Sequence, residues 1–213
     1  MTNAMRRFGL AVAVVGLTVG AAGQARAGQA WTISGTSDYR NDSWAFGELF
    51  TVGASNINVT ALGAYDADGD GFTTPGGIPV GIYDETTNTL LASTNVLSGD
   101  PLVDGFRYDT IPTLTLLAGH QYDVVAVNEE DLYNIGQASL VVDPSVTLDG
   151  FRYSQSTVLT DSSTGPFVGG SDPIWMSDFQ ISPAAVPEPA TVVSAGIAAL
   201  MGLAYAWRRK RLA

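Results

Sequence analysis

Residues 57–65 read Ile57-Asn58-Val59-Thr60-Ala61-Leu62-Gly63-Ala64-Tyr65. Ile57, Val59 and Ala61 alternate with Asn58 and Thr60, the period of a strand with one buried face. Val80 and Ile82 repeat the pattern against Gly81 and Tyr83, within a candidate strand from Pro79 to Tyr83. Phe46 to Val52, Thr89 to Val96, Leu114 to Leu117, Gln121 to Val127, Ala138 to Val142 and Trp175 to Ile181 complete the set of strand candidates. Gly, Pro, Asn and Asp crowd the gaps, and no helical pattern of about 12 residues survives between them. Thr86-Thr87-Asn88 and Ala118-Gly119-His120 read as compact turns between strands. The spacing predicts an all-β domain. A β-sandwich, jelly-roll-like in one form, is the expected architecture, with an open or closed barrel as the alternative.

The two ends have a different composition. Arg6 and Arg7 precede an apolar stretch from Phe8 to Ala22, and Ala25-Arg26-Ala27 supplies small residues for a cut after Ala27. Residues 1–27 thus read as a secretory signal peptide, handled by the secretion machinery and signal peptidase. At the other end stand Pro187-Glu188-Pro189, an apolar run from Ala190 to Trp207, and Arg208, Arg209, Lys210 and Arg211. The apolar run has 18 residues, about 27 Å as a helix, at the short end of what crosses a bilayer. It is apolar all the way round, unlike an amphipathic helix lying on a domain. The four cations are a basic stop, placed where cytoplasmic flanks carry positive charge. The expected organisation is a signal peptide at 1–27, one exported domain at 28–183, a Pro-rich linker at 184–189, a transmembrane helix at 190–207 and a basic cytoplasmic tail at 208–213.

The combination from Val186 to Arg211 resembles the PEP-CTERM protein-sorting signal of Gram-negative and related bacteria. The resemblance implies recognition of Pro187, Glu188 and Pro189 by an exosortase-like membrane enzyme and removal of the tail. It also implies a setting of exopolysaccharide, biofilm or cell surface. The prolines suit such a joint, since they lack backbone donors and keep the chain extended. Phe46 to Val127 is similar to the DUF4082-like β modules, through ELFTVGASNINVTALGAYDADGDGF, VGIYDETTNTLLAS and LVDGFRYDTIPTLTLLAGHQYDVVAV. Those modules bring no established chemistry with them.

Between the ends the charge is lopsided. Arg40, Arg107 and Arg152 are the only cations there, against 20 of the 21 acids of the chain. Such a surface repels phosphate backbones, which excludes nucleic acid as a partner. It favours solubility and divalent cations. The chain has no cysteine, so an exported domain must cohere through sheet packing without disulfides.

Asp66-Ala67-Asp68-Gly69-Asp70-Gly71 is the leading constellation. Alternate carboxylates before a glycine can wrap a hard cation, as in the first half of an EF-hand loop. The twelfth position, Gly77, offers no carboxylate, and Val59 to Tyr65 reads as strand. A calcium loop of Asp66, Asp68 and Asp70, closed by remote oxygens, is set against an acidic strand connection without metal. Glu129-Glu130-Asp131 would supply such oxygens if the fold brought it near Asp66; otherwise it is a solvated turn.

Asp104-Gly105-Phe106-Arg107-Tyr108 recurs as Asp149-Gly150-Phe151-Arg152-Tyr153, 45 residues later. The echo suggests two equivalent edges or turns. Arg107, Tyr108, Arg152 and Tyr153 are expected to fix those turns through carboxylate pairing or stacking, with sugar recognition as the alternative. Trp31, Trp44 and Trp175, with Tyr39, Tyr65, Tyr83, Tyr122 and Tyr133, are either core packing or a stacking platform.

Enzyme signals are thin. His120 is the only histidine, in a glycine-flanked turn, and no G-x-S-x-G or zinc cluster occurs. Gly165 to Gly170 is broken by Pro166 and Phe167, so it is no phosphate loop. Paired carboxylates for glycoside hydrolysis cannot be singled out among so many acids. The reading is a non-enzymatic structural or adhesive protein of the cell surface or its matrix. Exopolysaccharide binding is the alternative, followed by a glycosidase.

Overall fold

β-branched and aromatic residues at alternate positions carry the chain into antiparallel ladders. A computed structural model of the 213-residue chain describes residues 28–35, 37–136, 139–161 and 173–182. The chain divides into two units, Ala25–Ala185 and a second made of Met1–Gln24 with Val186–Ala213. The expected signal peptide, linker at 184–189, transmembrane helix and basic tail, and the Gly165 to Gly170 segment, lie outside the described residues. Among the described residues no helix is long and apolar enough to cross a membrane.

The strands are β1 (Gly28–Gln29), β2 (Trp31–Ser34), β3 (Ser37–Tyr39), β4 (Trp44–Val52), β5 (Ile57–Tyr65), β6 (Ile78–Asp84), β7 (Thr89–Val96), β8 (Leu102–Val103), β9 (Phe106–Leu116), β10 (Gln121–Val127), β11 (Tyr133–Ile135), β12 (Ser139–Val142), β13 (Val146–Gln155), β14 (Ile174–Trp175) and β15 (Ser177–Ser182). One five-stranded sheet runs β1-β15-β5-β9-β8, and a second runs β13-β4-β10-β6-β7. A three-stranded sheet, β14-β11-β3, and a β12-β2 pair complete the set. The domain is all-β, built from several antiparallel sheets.

Both large sheets feed one core. Phe50 of β4 meets Phe179 of β15 at 4.7 Å between ring centroids, and Trp31 stands edge-on to Phe179 at 5.4 Å. The Trp31 indole Nε1 donates to the Ser177 carbonyl at 3.0 Å, so the ring is buried without a lost hydrogen bond. The expected inward set of β5 is realised, with Ile57, Val59 and Ala61 buried and Asn58 and Thr60 half-buried. From Ala61 to Tyr65 the strand is buried at every position, so alternation ends where both faces are covered.

One strand runs much further than the sequence suggested, and one was not expected at all. β9 starts at Phe106 rather than Leu114, although Pro112 lies within it. Val59 pairs with Leu114 and Ala61 with Thr110, so Pro112 falls in a register shift, where its missing N–H interrupts no regular bond. β13 absorbs the whole second copy of the repeated pentapeptide.

The two copies are therefore not equivalent turns. In the first, Asp104 (φ 46°) and Gly105 (φ 85°) form the two-residue turn of the β8–β9 hairpin, with Val103 paired to Phe106. Two positive φ values in succession suit Asp-Gly. In the second copy β4 pairs on both sides of Asp149, Phe50 with Leu148 and Leu49 with Gly150. Asp149 is left as the extra residue of a bulge. A continuous partner strand turned the same letters from a hairpin tip into a kink.

Candidate functional site

The acidic loop leaves β5 at Asp66 and returns to β6 through Gly77. Its carboxylates divide by burial. Asp68 and Asp70 are exposed, whereas Asp66 is 3% exposed. The backbone N–H of Asp66 donates to the Gly105 carbonyl at 2.9 Å, which ties the loop to the β8–β9 turn.

That turn delivers Arg107. Its Nε donates to Asp66 Oδ2 at 2.5 Å, Nη2 to the Gly69 carbonyl at 2.7 Å and Nη1 to the Asp100 carbonyl at 2.9 Å. The planar fork suits three acceptors in fixed directions, which an ammonium would not match. Gly71 N also donates to Asp66 Oδ2 at 3.2 Å. A guanidinium thus sits inside the loop whose acids suggested a cation.

Asp131 holds the second half of the loop. Its Oδ1 accepts from Thr73 N at 2.6 Å and Thr73 Oγ1 at 2.8 Å, and its Oδ2 from Thr74 N at 2.9 Å. Burial pushes the Asp131 carboxyl up, but hydrogen bonds from Thr74 and Thr73 outweigh it and hold the group below its ordinary value. Asn128 steadies Asp131 in turn, its Nδ2 donating to the Asp131 carbonyl at 2.8 Å while its Oδ1 accepts from Trp44 N at 2.8 Å.

Asp66, Asp68, Asp70 and Asp131 line one pocket of about 120 Å³, together with the exposed Arg40. The fold brings Asp131 of the second acidic cluster to the loop. Glu129 and Glu130 are not among the pocket's residues.

The other sequence candidates are engaged inside the fold. Tyr108 is buried, and its hydroxyl donates to Asp178 Oδ2 at 2.5 Å while accepting from Gln29 Nε2 at 2.7 Å. Its ring lies across Gly63, where a β-carbon would stand 2.5 Å from the ring. Burial, then the Asp178 charge, raises the Tyr108 phenol far above its ordinary value. Arg152 Nη1 donates to Glu85 Oε2 at 2.6 Å. Tyr153 is half-buried, edge-on to Trp44 at 5.4 Å. Trp31, Trp175, Tyr65, Tyr83, Tyr122 and Tyr133 are buried, Trp44 is half-buried, and Tyr39 and His120 are exposed. Most of the aromatic set is packing rather than platform.

Three acids that no motif singled out are wholly buried within strands: Glu48 in β4, Asp123 in β10 and Asp178 in β15. The available signal was a lone acid inside an otherwise apolar strand pattern, as in Gln121 to Val127. Burial raises Glu48 well above its ordinary value, against hydrogen bonds from Ser177 and Met176. Glu48 Oε1 accepts from Met176 N at 3.0 Å, and Oε2 lies against Ser177 Oγ. Ser177 Oγ also reaches the Val124 carbonyl at 2.9 Å. Burial likewise lifts Asp178 to about 8, against the hydrogen bond from Tyr108.

No curated protein matches the chain. A PEP-CTERM protein-sorting motif is present at residues 185–210. It spans Pro187, Glu188, Pro189, the apolar run and the first three cations of the basic end, Arg208, Arg209 and Lys210. The chain thus carries a sorting motif of exported, cell-surface-associated proteins, one that implies processing by an exosortase-like system.

Proposed function

We propose that the protein is an exported structural or adhesive module of the cell surface or extracellular matrix, with a two-layer β-sandwich as its body. The sorting motif behind the β domain carries this reading. The common aromatic core of the two five-stranded sheets supports the sandwich. No catalytic step is assigned to it. Arg107 and Arg152, two of the three cations of the β domain, are both spent on internal carboxylates, which supports a structural use of the repeated Arg-Tyr pairs.

In the Asp66 loop, Arg107 engages the Asp66 carboxylate that the sequence offered to calcium. Order in this loop then comes from the fold itself, while Asp68 and Asp70 remain at the surface as part of its negative charge. The precursor is held at the inner membrane by residues 190–207, with the β domain outside, until the exosortase-like enzyme acts.

The test is deletion and polysaccharide pull-down side by side. A structural role predicts loss of surface cohesion on deletion, restored by the intact chain, with no retention on the host's exopolysaccharide. Saturable retention of the purified full chain on that polymer would replace this reading with a carbohydrate-binding one.

A further inference from the structure

Part of one face of the β13-β4-β10-β6-β7 sheet, over β4, β6 and β10, is covered. Ser156 N donates to the Ser43 carbonyl at 3.2 Å, and Ser43 Oγ donates back to the Ser156 carbonyl at 2.7 Å. From there the chain carries Leu159 onto Ala45, Tyr83, Val125 and Val127. Gly81 makes room, since a β-carbon there would stand 2.8 Å from Leu159. Residues 156–161 are thus a strap across a sheet face, with Asp161 at its end.

Beneath that end three carboxylates from three elements meet. Glu85 follows β6, Asp123 lies in β10 and Asp161 closes the strap. One oxygen of each lies within 4.8 Å of the others. Asp123 is fully buried and Asp161 is 8% exposed. The Glu85 side chain is 10% exposed, with Oε2 on Arg152. Its other oxygen, Oε1, is buried and accepts no hydrogen bond among the described residues. A buried, unsatisfied carboxylate oxygen is costly, and native folds satisfy such atoms with a proton donor, a water or an ion.

We propose that Glu85, Asp123 and Asp161 form a binding site for a hard divalent cation, calcium in an external medium, which pins the strap to the sheet. The donors are all oxygen, with no nitrogen or sulfur, and that set selects calcium-type over zinc-type ions. With Glu85 Oε2 held by Arg152, the three carboxylates leave up to five oxygens for the ion, and calcium sites commonly fill the rest of their six to eight positions with water or backbone carbonyls. Arg152 stays on Glu85 Oε2 and leaves Oε1 to the ion. This site is separate from the Asp66 loop, and the choice of calcium as its ion rests on the export reading.

The full chain in detergent, stripped with chelator, is titrated with calcium by calorimetry while hydrogen exchange is followed over residues 156–161. Calcium is expected to bind with one-site stoichiometry and slow exchange in the strap. Asp161→Asn and Glu85→Gln should each weaken binding at least about tenfold, the loss that even supporting residues of metal sites produce. The pair Asp68→Asn with Asp70→Asn should bind as the parent does. Asp161 lies at the end of the strap, so its variant retains the core, and near-ultraviolet circular dichroism reports that directly. Absence of calcium heat in the folded parent at millimolar concentration overturns the proposal. So does binding lost in the Asp68/Asp70 variant and kept in Asp161→Asn.

Discussion

The Arg107 guanidinium and the Asp66 carboxylate meet at 2.5 Å, with side chains 11% and 2% exposed. A buried ion pair adds little net stability when compared with an apolar pair, but breaking it strands a charge. Arg107→Ala is therefore expected to destabilise the domain by about 3–5 kcal/mol, read from urea unfolding. Arg107→Ala combined with Asp66→Asn should recover part of that loss. Additive losses in the double variant would show that the two side chains do not act as a pair.

Gly63 makes way for Tyr108, whose ring would lie 2.5 Å from an added β-carbon. Gly63→Ala should cost about 1–3 kcal/mol, the range for overpacking a filled core. A Tyr108→Leu background should remove most of that penalty, because the ring is what the methyl meets. An unchanged penalty in that background would place the strain elsewhere.

The buried acids set a pH dependence of unusual sign. Asp178, with its folded value raised to about 8, binds a proton more tightly folded than unfolded. Its contribution is full below the ordinary carboxylate value near 3.8 and is lost as pH rises toward 8. Glu48 acts in the same direction. Each tenfold gain in proton affinity is worth about 1.4 kcal/mol, so stability should fall from pH 5 to pH 8. Asp178→Asn should flatten that slope. A parent slope that rises over this window, or one that Asp178→Asn leaves intact, would contradict it.

Asp131 works in the opposite sense. Its folded value is depressed, so its contribution is present above the unfolded value and lost as pH falls through the lower folded one. Asp131→Ala leaves the N–H groups of Thr73 and Thr74 without their acceptor, at about 1–3 kcal/mol for each one left buried. The loss should be seen at pH 7 and should shrink toward pH 2. Equal loss at both pH values would argue against a carboxylate role.

β5, β7 and β10 begin and end where the sequence places them, and β6, whose alternation is equally plain, extends one residue further at each end. β9 extends N-terminally past the expected Leu114 start because pairing with β5 carries it through Pro112 in an irregularity. β13 was hidden by Asp149-Gly150, a turn signal that became a bulge when β4 paired on both sides of Asp149. At the acidic loop, residue type and spacing pointed to a cation. Arg107, 41 positions from Asp66, is supplied by a hairpin that no local pattern joins to it. Glu85, Asp123 and Asp161 share no spacing at all and meet only through sheet order and the strap.

Export and sorting by the C-terminal motif are tested most directly by intact-mass and terminal-peptide spectrometry of the protein recovered from the cell surface. Sorting predicts a chain that begins near Gly28 and ends between the β domain and Ala190. It also predicts that Glu188→Ala holds the uncut chain in the inner membrane. A surface form retaining both Met1 and the Arg208 to Arg211 end, or an uncut chain found in the cytosol, would contradict it.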